Sequence, residues 1–425
     1  MNKKPTIAII GGTVWGNRGA EAMLVTVIGR IRQDFPDAHF NIFSYYLKKD
    51  RTLVSDPHIH FYDGSPLSLV ANHFLGVIVL KALSFLRIKP KHSRFLKTAN
   101  ALAQSDVLLD IGGITFSDGR EKFLPFNILT IWPTMLVGTP VIKLAQAVGP
   151  FDHTLNRILA KYFLSRCAHV FLRGKNSTQH ISRLNLPSDK TSSAPDIAFL
   201  YDPRYSLSNE NAQKAYSIVG QIRREQEFGK QIIVIAPSIL VDKKLRKKGL
   251  DYTDLLLSAL GDRNPEKFFF VFMPNATREG SPKQHNNDIL MIDKIMQRLK
   301  GSNLPEAFQN TCAYIDFDIN TQAIRQVISH ADLLITSRYH AMISGLALSV
   351  PTIVIGWSHK YQETMASFGL SDYALSISEI NRDLSPAINE ALEQSPHIQA
   401  RIKDHLPLVR EQADSQFRNI RQYFR

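Results

Sequence analysis

The sequence has few of the residues that disulfide-linked and zinc-binding proteins need. Only two of its 425 residues are cysteine, Cys167 and Cys312, and neither has a C-x-x-C partner or a histidine at ligand spacing. This pattern is typical of a reducing compartment and argues against a structural zinc site. The HExxH, GxSxG and GK[ST] motifs are also missing. The sequence therefore gives no support to metal hydrolysis, serine acylation or a P-loop.

The sequence also has fewer acidic than basic residues. Asp and Glu total 38 against 51 Lys and Arg, which gives a formal net charge of +13 at pH 7 and a sequence pI near 9.6. This surplus favours anionic partners: phosphorylated metabolites, acidic glycans, nucleic acids or anionic membrane surfaces. No block of Lys and Arg is interleaved with aromatic residues, so we do not expect a nucleic-acid partner.

Long uninterrupted apolar runs are absent too. The start, MNKKPTIAIIGG, fits the first strand of a sheet better than a signal peptide, because glycines follow without a cleavage site. The segment Pro66–Ile88 is mostly apolar but is interrupted by Asn72, His73 and Lys81. The basic residues that follow it are Lys89, Lys91, His92, Arg94 and Lys97. Three interpretations of 66–97 stay open: a core helix with a solvated end, an interfacial helix on anionic lipid, and a membrane span.

Length and pattern predict an α/β fold. A chain of 425 residues is too long for one hydrophobic core, and 44% hydrophobic residues is an ordinary globular composition. Short apolar runs that predict strands alternate with amphipathic helical stretches. The predicted strands are Thr6–Ile10, His39–Phe43, Val107–Ile111, Pro140–Gln146, His169–Leu172, Gln231–Ala236, Lys267–Met273, Ala313–Ile315, Ala331–Ile335 and Thr352–Ile355, with a further short element at Asp196–Leu200. The predicted helices are Ala20–Arg32, Ala99–Gln104, Asp288–Leu299 and an amphipathic C-terminal region.

This alternation predicts two Rossmann-like, doubly wound domains that face a cleft, the GT-B-like architecture. The first domain covers residues 1–205 and includes the segment 66–97. The second covers 212–385, and residues 386–425 form a C-terminal helical segment. The polar stretch Ser206–Asn211 between the two domains is the predicted linker.

The most informative motif follows the predicted strand Ala331–Ile335. It begins with Ser337-Arg338-Tyr339-His340 and continues downstream to Pro351 and Lys360. Ligands of open α/β sheets bind beyond the carboxyl ends of the strands. We therefore expect Arg338, His340 and Lys360 to form a basic site for a small, multiply charged anion, helped by the dipole of the helix that starts near Ala341. A lone histidine is most often structural, but this grouping favours a functional role.

A glycine-rich turn at Gly11–Gly19 follows the first predicted strand. It lacks the GxGxxG spacing, and no acidic residue is placed to hold a ribose, so NAD is not an expected cofactor. Asn17, Arg18 and Glu21 lie where the next helix begins. Helix capping on a solvated surface and ligand binding are equally open interpretations of these three residues.

Two more predicted strand ends carry polar residues. Gly112 and Gly113 would let backbone amides approach a ligand closely. Asp118, shortly after them, could orient a sugar hydroxyl or remove its proton, although a carboxylate in a turn is usually a cap. Arg173 ends another strand, where an isolated arginine more often forms a surface ion pair than binds a ligand.

Taken together, these positions resemble the polysaccharide pyruvyl transferase family. The resemblance runs in order from about residue 7 to 373, and Ser337–Gly369 is its most specific part. Ala20 departs from the pattern, because many relatives have Asp there and this chain offers Glu21 instead. The matching positions are Asn17-Arg18-Gly19-Ala20-Glu21, Gly112-Gly113 with Asp118, Gly149-Pro150, Phe171-Leu172-Arg173, Asp196, Ser337-Arg338-Tyr339-His340-Ala341, Pro351 and Lys360.

The resemblance implies a GT-B-like fold and metal-independent transfer of pyruvate from phosphoenolpyruvate (PEP) to two sugar hydroxyls as a cyclic ketal, with release of phosphate. It implies no cofactor. His340, Arg173 and Lys360 match the family's catalytic residues, and Arg338, with Ser337, matches its PEP-binding site in the second domain. Residues expected on the acceptor side, in the first domain, are Asn17, Glu21, Gly112, Gly113 and Asp118.

The sequence thus predicts a cytoplasmic transferase that modifies an oligosaccharide or lipid-linked precursor of a surface polysaccharide such as an exopolysaccharide. The basic surplus and the segment 66–97 suit work at the inner face of the cytoplasmic membrane, peripherally attached. Two alternatives stay open: a nucleotide-sugar glycosyltransferase on the same fold, and a non-catalytic scaffold for glycan assembly at the membrane.

Overall fold

Two parallel β-sheets organise the chain. The computed structural model describes residues 4–88, 95–208, 212–278, 286–302, 304–377, 380 and 384–424. The strands of the first sheet are β1 (Thr6–Ile10), β2 (His39–Ser44), β3 (Ile59–Asp63), β4 (Val107–Asp110), β5 (Ile114–Ser117), β6 (Val141–Gly149), β7 (His169–Leu172) and β8 (Thr191–Ser193). They lie in the order β3-β2-β1-β4-β6-β7-β8, and β5 pairs with β6.

The second sheet has the strand order of a Rossmann fold. Its strands are β9 (Gln231–Ala236), β10 (Phe268–Phe272), β11 (Cys312–Tyr314), β12 (Leu333–Thr336), β13 (Thr352–Gly356) and β14 (Ala374–Ser376). They lie in the order β11-β10-β9-β12-β13-β14, and every pair is parallel. The central strand β9 is buried from its second residue to its last. Its Ile-Ile-Val-Ile-Ala run suits a strand covered on both faces.

Helices connect these strands. They are α1 (Arg18–Asp34), α2 (Leu47–Leu53), α3 (Pro66–Ser68), α4 (Gly76–Phe85), α5 (Lys97–Ala103), α6 (Leu124–Leu129), α7 (Trp132–Leu136), α8 (Thr154–Leu164), α9 (Lys175–Ser182), α10 (Ala212–Glu227), α11 (Ile239–Arg246), α12 (Tyr252–Gly261), α13 (Ile289–Lys300), α14 (Glu306–Gln309), α15 (Thr321–Ile328), α16 (Tyr339–Ala347), α17 (His359–Ala366), α18 (Ser385–Glu393) and α19 (Ser395–Arg421). A π-helical stretch, Leu69–Leu75, joins α3 to α4.

The chain divides into two compact units. The first unit contains residues 1–15, 20–207 and 410–425, and the second contains 16–19 and 208–409. This division differs from the predicted boundaries in two places. Residues 16–19 belong to the second unit, although the sequence predicts them in the first domain. The predicted C-terminal segment 386–425 is not a separate part, because it packs with the second unit as far as Val409 and with the first unit afterwards.

Polar contacts hold the end of α19 in the first unit. Arg421 pairs with Asp34 at 2.6 Å, and Gln416 donates a hydrogen bond of 3.0 Å to the carbonyl of Pro195. Contacts of this kind join residues distant in sequence, so the helical pattern of the C-terminus could not predict them.

The predicted strands are confirmed, and their ends are shifted by at most three residues. The element predicted at Asp196–Leu200 is a 3-10 turn, Ile197–Leu200, which Asp196 caps by accepting a hydrogen bond from the backbone N–H of Ala198. The strands β3, β5, β8 and β14 were not predicted. Residues 209–211 of the predicted linker Ser206–Asn211 lie outside the described residues, as do Lys89, Lys91, His92 and Arg94 of the basic run.

His73 is a neutral, buried part of the first unit. Its Nε2 lies 3.0 Å from the carbonyl oxygen of Asp63, and its ring contacts Phe43 edge-on with centroids 5.0 Å apart. Burial lowers the pKa of the imidazole to about 4, although the hydrogen bond to Asp63 opposes the shift. His73 therefore stays uncharged in the folded protein at pH values where it is protonated in the unfolded chain.

We expect His73 to make the fold less stable in mild acid. Its pKa is lower in the folded state than in the unfolded state, so the unfolded chain binds the extra proton, and this part of the stability falls as pH drops from about 6.5 towards 4. His73→Gln keeps an N–H donor but cannot take up a proton. The free energy of unfolding that is lost between pH 6.5 and pH 4 should therefore be smaller by about 2–3 kcal/mol in this variant. Urea unfolding of both proteins at several pH values tests this; parallel stability curves would contradict it.

Candidate active site

The loop after β12 lies at the switch point of the second sheet. The strand order reverses between β9 and β12, and ligands of such sheets bind outside the carboxyl ends of the strands at this position. Ser337 and Arg338 follow β12 directly, and Arg338 is the residue before α16. The neighbouring strand β13 leads in the same direction to α17, which begins at His359. The starts of both helices therefore follow adjacent strand ends.

A buried carboxylate holds Arg338 in place. Nη2 of Arg338 donates to Oδ1 of Asp288, which is fully buried. The other oxygen of Asp288 accepts hydrogen bonds from the backbone N–H groups of Asn275 and Ala276, at 3.3 and 2.9 Å. Nε of Arg338 is buried and makes no hydrogen bond within the part of the chain that the structure describes. An anionic substrate oxygen could accept a hydrogen bond there.

Sequence reasoning did not identify Asp288 as a site residue. It is the first residue of the predicted helix Asp288–Leu299, and an Asp at a helix start normally caps the helix. Its side chain makes no cap hydrogen bond to α13 and instead binds Arg338 and the backbone of other segments. The only signal in the sequence was an Asp before an apolar helix, which gives no information about its partner.

Ser337 belongs to a buried hydroxyl network. Its Oγ lies 2.9 Å from the hydroxyl of Tyr252, and its carbonyl accepts a hydrogen bond of 3.2 Å from the hydroxyl of Tyr361. Burial raises the pKa of Tyr361 to about 12, so this hydroxyl stays protonated and able to donate. Ser337 is itself buried. This arrangement favours a role in positioning the loop; direct contact of Ser337 with a substrate stays a prediction.

His340 packs against the N-terminal glycine motif. A Cβ on Gly19 would lie 2.0 Å from Nδ1 of His340 and 2.4 Å from its Cγ, closer than any real contact. Only a residue without a side chain allows the imidazole to occupy this position. The ring also meets Tyr339 edge-on, with centroids 5.3 Å apart. The histidine is therefore enclosed by two neighbours that restrict its orientation.

The segment Gly16–Gly19 is attached to the second unit by several contacts. Arg18 pairs with Asp318 at 3.1 Å, and its carbonyl accepts a hydrogen bond of 2.8 Å from Thr321. Asn17 forms a bridge with Ala276 and accepts a hydrogen bond from the N–H of Gly19. This last contact is the capping interaction that the sequence left open; an acceptor role for Asn17 stays a prediction.

Lys360 lies among aromatic rings near the start of α17. Its Nζ is 4.5 Å from the ring centre of Tyr339, 5.4 Å from Tyr361 and 5.9 Å from Trp357. Cation–π contacts of this kind hold an ammonium group without neutralising its charge. Tyr339 contacts both Lys360 and His340, and Tyr361, the next residue after Lys360, interacts electrostatically with Arg338. The structure therefore brings Arg338, His340 and Lys360 into one neighbourhood.

The first unit positions Arg173 in a different polar cluster. Its guanidinium donates to Asp196 at 2.5 Å and to the carbonyl of Gly113 at 3.0 Å. All these contacts are buried, so Arg173 is not the surface ion pair that an isolated arginine suggests. Gly113 has φ +75°, a conformation that a residue with a side chain rarely adopts. A catalytic role for Arg173 stays a prediction.

A buried ion pair supports the glycine loop. Nζ of Lys143 donates to Asp110, whose other oxygen accepts a hydrogen bond of 2.9 Å from the N–H of Gly112. The pairing of β6 with β7 is irregular between Lys143 and Gln146, where Ala145 has φ +49°. Such irregularities redirect side chains near functional sites. The sequence showed Lys143 only as a charged residue inside an apolar strand.

The two carboxylates predicted on the acceptor side, Asp118 and Glu21, lie in surroundings that suit a structural role. Asp118 accepts hydrogen bonds from the N–H groups of Asp152 and His153 and from the side chain of Asn156. Burial would raise the pKa of Asp118, but these hydrogen bonds outweigh it and hold the pKa below its ordinary value. A weakly basic carboxylate in this environment is poorly suited to remove a proton. Glu21 is fully buried in α1. Acceptor roles for both residues stay predictions.

We expect Gly19→Ala to displace the imidazole of His340. The added methyl group would overlap the ring, and overpacking of this kind costs about 1–3 kcal/mol. Gly220→Ala in α10 is a matched control, because a Cβ there meets no atom within 4 Å and alanine favours a helix. Denaturant unfolding and the NMR signals of the His340 ring, assigned with His340→Gln, measure the two effects. Unchanged stability together with unchanged signals in Gly19→Ala would contradict the assigned contact.

Solved structures of low sequence identity share this fold. UDP-GlcNAc 2-epimerase from Neisseria meningitidis, bound to UDP-GlcNAc, matches with a TM-score of 0.56 and 11% identity, covering 98% of this chain and 100% of the epimerase. HepE from Anabaena in complex with UDP matches with a TM-score of 0.55 and 12% identity, covering 98% of each chain. The predicted class, two parallel-sheet α/β domains of GT-B-like type, is confirmed.

Sequence relatives identify the family. The chain is 20% identical over 411 residues to the amylovoran biosynthesis protein AmsJ of Erwinia amylovora, a match that covers 93% of this chain and 94% of AmsJ. The polysaccharide pyruvyl transferase family matches residues 17–359, from the glycine motif that contacts His340 to the start of α17. Because this match spans most of the chain, the protein belongs to the polysaccharide pyruvyl transferase family and is a transferase of polysaccharide biosynthesis.

Proposed function

We propose that the protein transfers pyruvate from PEP to two hydroxyls of a sugar, forming a cyclic ketal and releasing phosphate. The observation that carries the proposal is the grouping of Arg338, His340 and Lys360 where adjacent parallel strands, β12 and β13, lead into α16 and α17. PEP carries a carboxylate and a phosphate on a three-carbon frame. Two cationic side chains and two helix starts suit a ligand with two acidic ends.

Arg338 is the residue proposed to hold PEP, the pyruvate donor; we call it the clamp. Its Nη2 is committed to Asp288, while its buried Nε remains to donate to a substrate oxygen. Because Asp288 fixes the guanidinium before substrate arrives, little side-chain entropy is lost on binding. This favours a defined orientation of PEP over loose attraction to a positive surface.

His340 is the proposed general acid. It adds a proton to the methylene carbon of PEP, which builds positive character at C2. A sugar hydroxyl attacks C2 and its proton restores protonated His340. The bond from C2 to the phosphate oxygen then breaks, and the second hydroxyl attacks C2 to close the ketal while its proton leaves with the phosphate. Gly19 and Tyr339 restrict the imidazole to one orientation, which suits a proton donor. Lys360 stabilises the departing phosphate by about 2–4 kcal/mol in a water-excluded site. The family resemblance assigns Arg173 a catalytic role as well.

The proposed acceptor is inferred from the family to which the protein belongs. A precursor of a surface polysaccharide, as an oligosaccharide or a lipid-linked saccharide, is the proposed acceptor, and the reaction takes place in the cytoplasm. The polar cluster of the first unit around Gly112, Gly113 and Arg173 is the proposed acceptor-side region. Its positive-φ glycine and buried ion pairs are consistent with a shaped binding loop.

The purified protein should release phosphate from PEP in the presence of a saccharide acceptor. His340→Ala and Arg338→Ala should each lower turnover by at least about a hundredfold while leaving the circular dichroism spectrum unchanged. His359→Ala, an exposed histidine at the start of α17, is the matched control and should stay active. Release of nucleotide from a UDP-sugar without PEP turnover would instead favour a glycosyltransferase, and full activity of His340→Ala would exclude its assigned role.

Asp288→Asn should weaken PEP binding through Arg338. The variant keeps the size of the side chain but removes the charge, and breaking this pair should cost about 3 kcal/mol of folding stability. We expect a larger rise in KM for PEP than fall in kcat, because Asp288 acts on the clamp and not on the reacting atoms. Asp254→Asn, which breaks an exposed pair with Arg298, should change neither the KM for PEP nor kcat. Equal effects of the two variants would contradict a positioning role for Asp288.

A further inference from the structure

The helical segment Pro66–Phe85 exposes apolar side chains where a soluble helix would be polar. Its inner face is buried and includes Leu69, His73 and Val77. On the opposite side, Leu67 is 84% exposed and Phe85 is 88% exposed. The remaining large apolar side chains exposed on this segment and the residues after it are Val70, Leu75, Ile78, Val79, Leu86 and Ile88. A contiguous apolar face of this kind marks an interaction surface.

The packing of the segment allows contact with a membrane from one side only. By length and composition the 20 residues Pro66–Phe85 could cross a bilayer, the one such helix among the described residues, and 28% of its most apolar window is buried. Its inner face, however, packs against α5, α6 and α7 within the first unit. His73 is part of that buried face. A helix covered along one side by its own domain suits the interfacial interpretation, in which only the outer face enters lipid.

The charge around this segment is of one sign. Between Asp63 and Asp106 the chain contains no Asp or Glu. Lys81, Arg87 and Lys97 are exposed there. A segment that combines an apolar face with basic residues and no carboxylates is attracted to anionic lipid, at about 1 kcal/mol for each basic residue near the surface. A second protein surface would not require this bias.

A basic pocket adjoins the segment. It has a volume of about 380 Å³, and its polar lining includes Arg51, His60 and Lys97. The strand β3 supplies His60 and runs directly into the segment, and α5, which starts at Lys97, packs against the helix. Tyr62, which also lines the pocket, stacks on Phe43 with ring centroids 5.3 Å apart. The pocket can take a phosphate group, and its Lys97 belongs to the helix that packs against the segment.

We propose that this docking surface, made of the outer face of 66–88 and the pocket of Arg51, His60 and Lys97, binds an anionic phospholipid leaflet. Leu67 and Phe85 enter the acyl region, and Arg51 and Lys97 contact lipid phosphates. The enzyme is then held peripherally at the surface where a lipid-linked acceptor would be presented. Lipid binding needs none of the residues assigned to PEP, so it stands or falls separately from the proposed reaction.

The test is flotation of the full-length protein with vesicles of phosphatidylcholine, and with vesicles in which phosphatidylglycerol replaces part of the phosphatidylcholine. We expect binding to the anionic vesicles that weakens as salt is added. The double variant L67S/F85S should lower the partition coefficient by at least about tenfold, and Lys97→Gln by about fivefold. Phosphate release from PEP, measured without vesicles, should stay unchanged in both variants.

The matched control is F228S/L408S, which removes two side chains that are 79% and 56% exposed in the second unit. It should bind vesicles as the unchanged protein does. Thermal unfolding confirms that the variants fold. Failure of the unchanged protein to bind anionic vesicles, or equal binding by L67S/F85S, would overturn the proposal. So would lipid-free dimers, seen by light scattering, that L67S/F85S abolishes, because the apolar face would then belong to a contact between two copies.

Discussion

The buried ion pair between Arg338 and Asp288 sets the geometry of the basic site. A guanidinium at the end of a strand is ordinarily mobile, and here a fully buried carboxylate holds one of its nitrogens while leaving Nε to donate elsewhere. The carboxylate is itself fixed by backbone N–H groups of Asn275 and Ala276. The position of the clamp is therefore built into the core of the second unit, where desolvation makes the loss of either partner costly.

The proposed general acid, His340, is also held in place by its neighbours. His340 is restricted by the absence of a side chain at Gly19 and by the ring of Tyr339, which also contacts Lys360. Two sequence motifs, one near the N-terminus and one near residue 340, are thus in direct contact. Steric exclusion explains why the first motif needs a glycine: any side chain there would occupy the space of the imidazole.

The docking surface differs from the basic site in what it requires. Binding a small anion needs a few groups at defined positions, whereas a leaflet needs area, an apolar face and charge of one sign. The first unit supplies these through 66–88 and the pocket beside β3. The positive surplus of the sequence therefore has two proposed uses, one at Arg338 and Lys360 and one around Lys97.

The sequence by itself determined the alternation of strands and helices, the two α/β domains, and the strand ends at which Arg338, His340 and Lys360 lie. These follow from local periodicity and from the rule that ligands bind beyond the carboxyl ends of parallel strands. Only the tertiary structure decided that Asp288 holds Arg338, that Gly19 confines His340, and that Asp118 caps a loop. Each of these depends on contacts between segments distant in the chain, which the spacing of residues along one strand or helix does not encode.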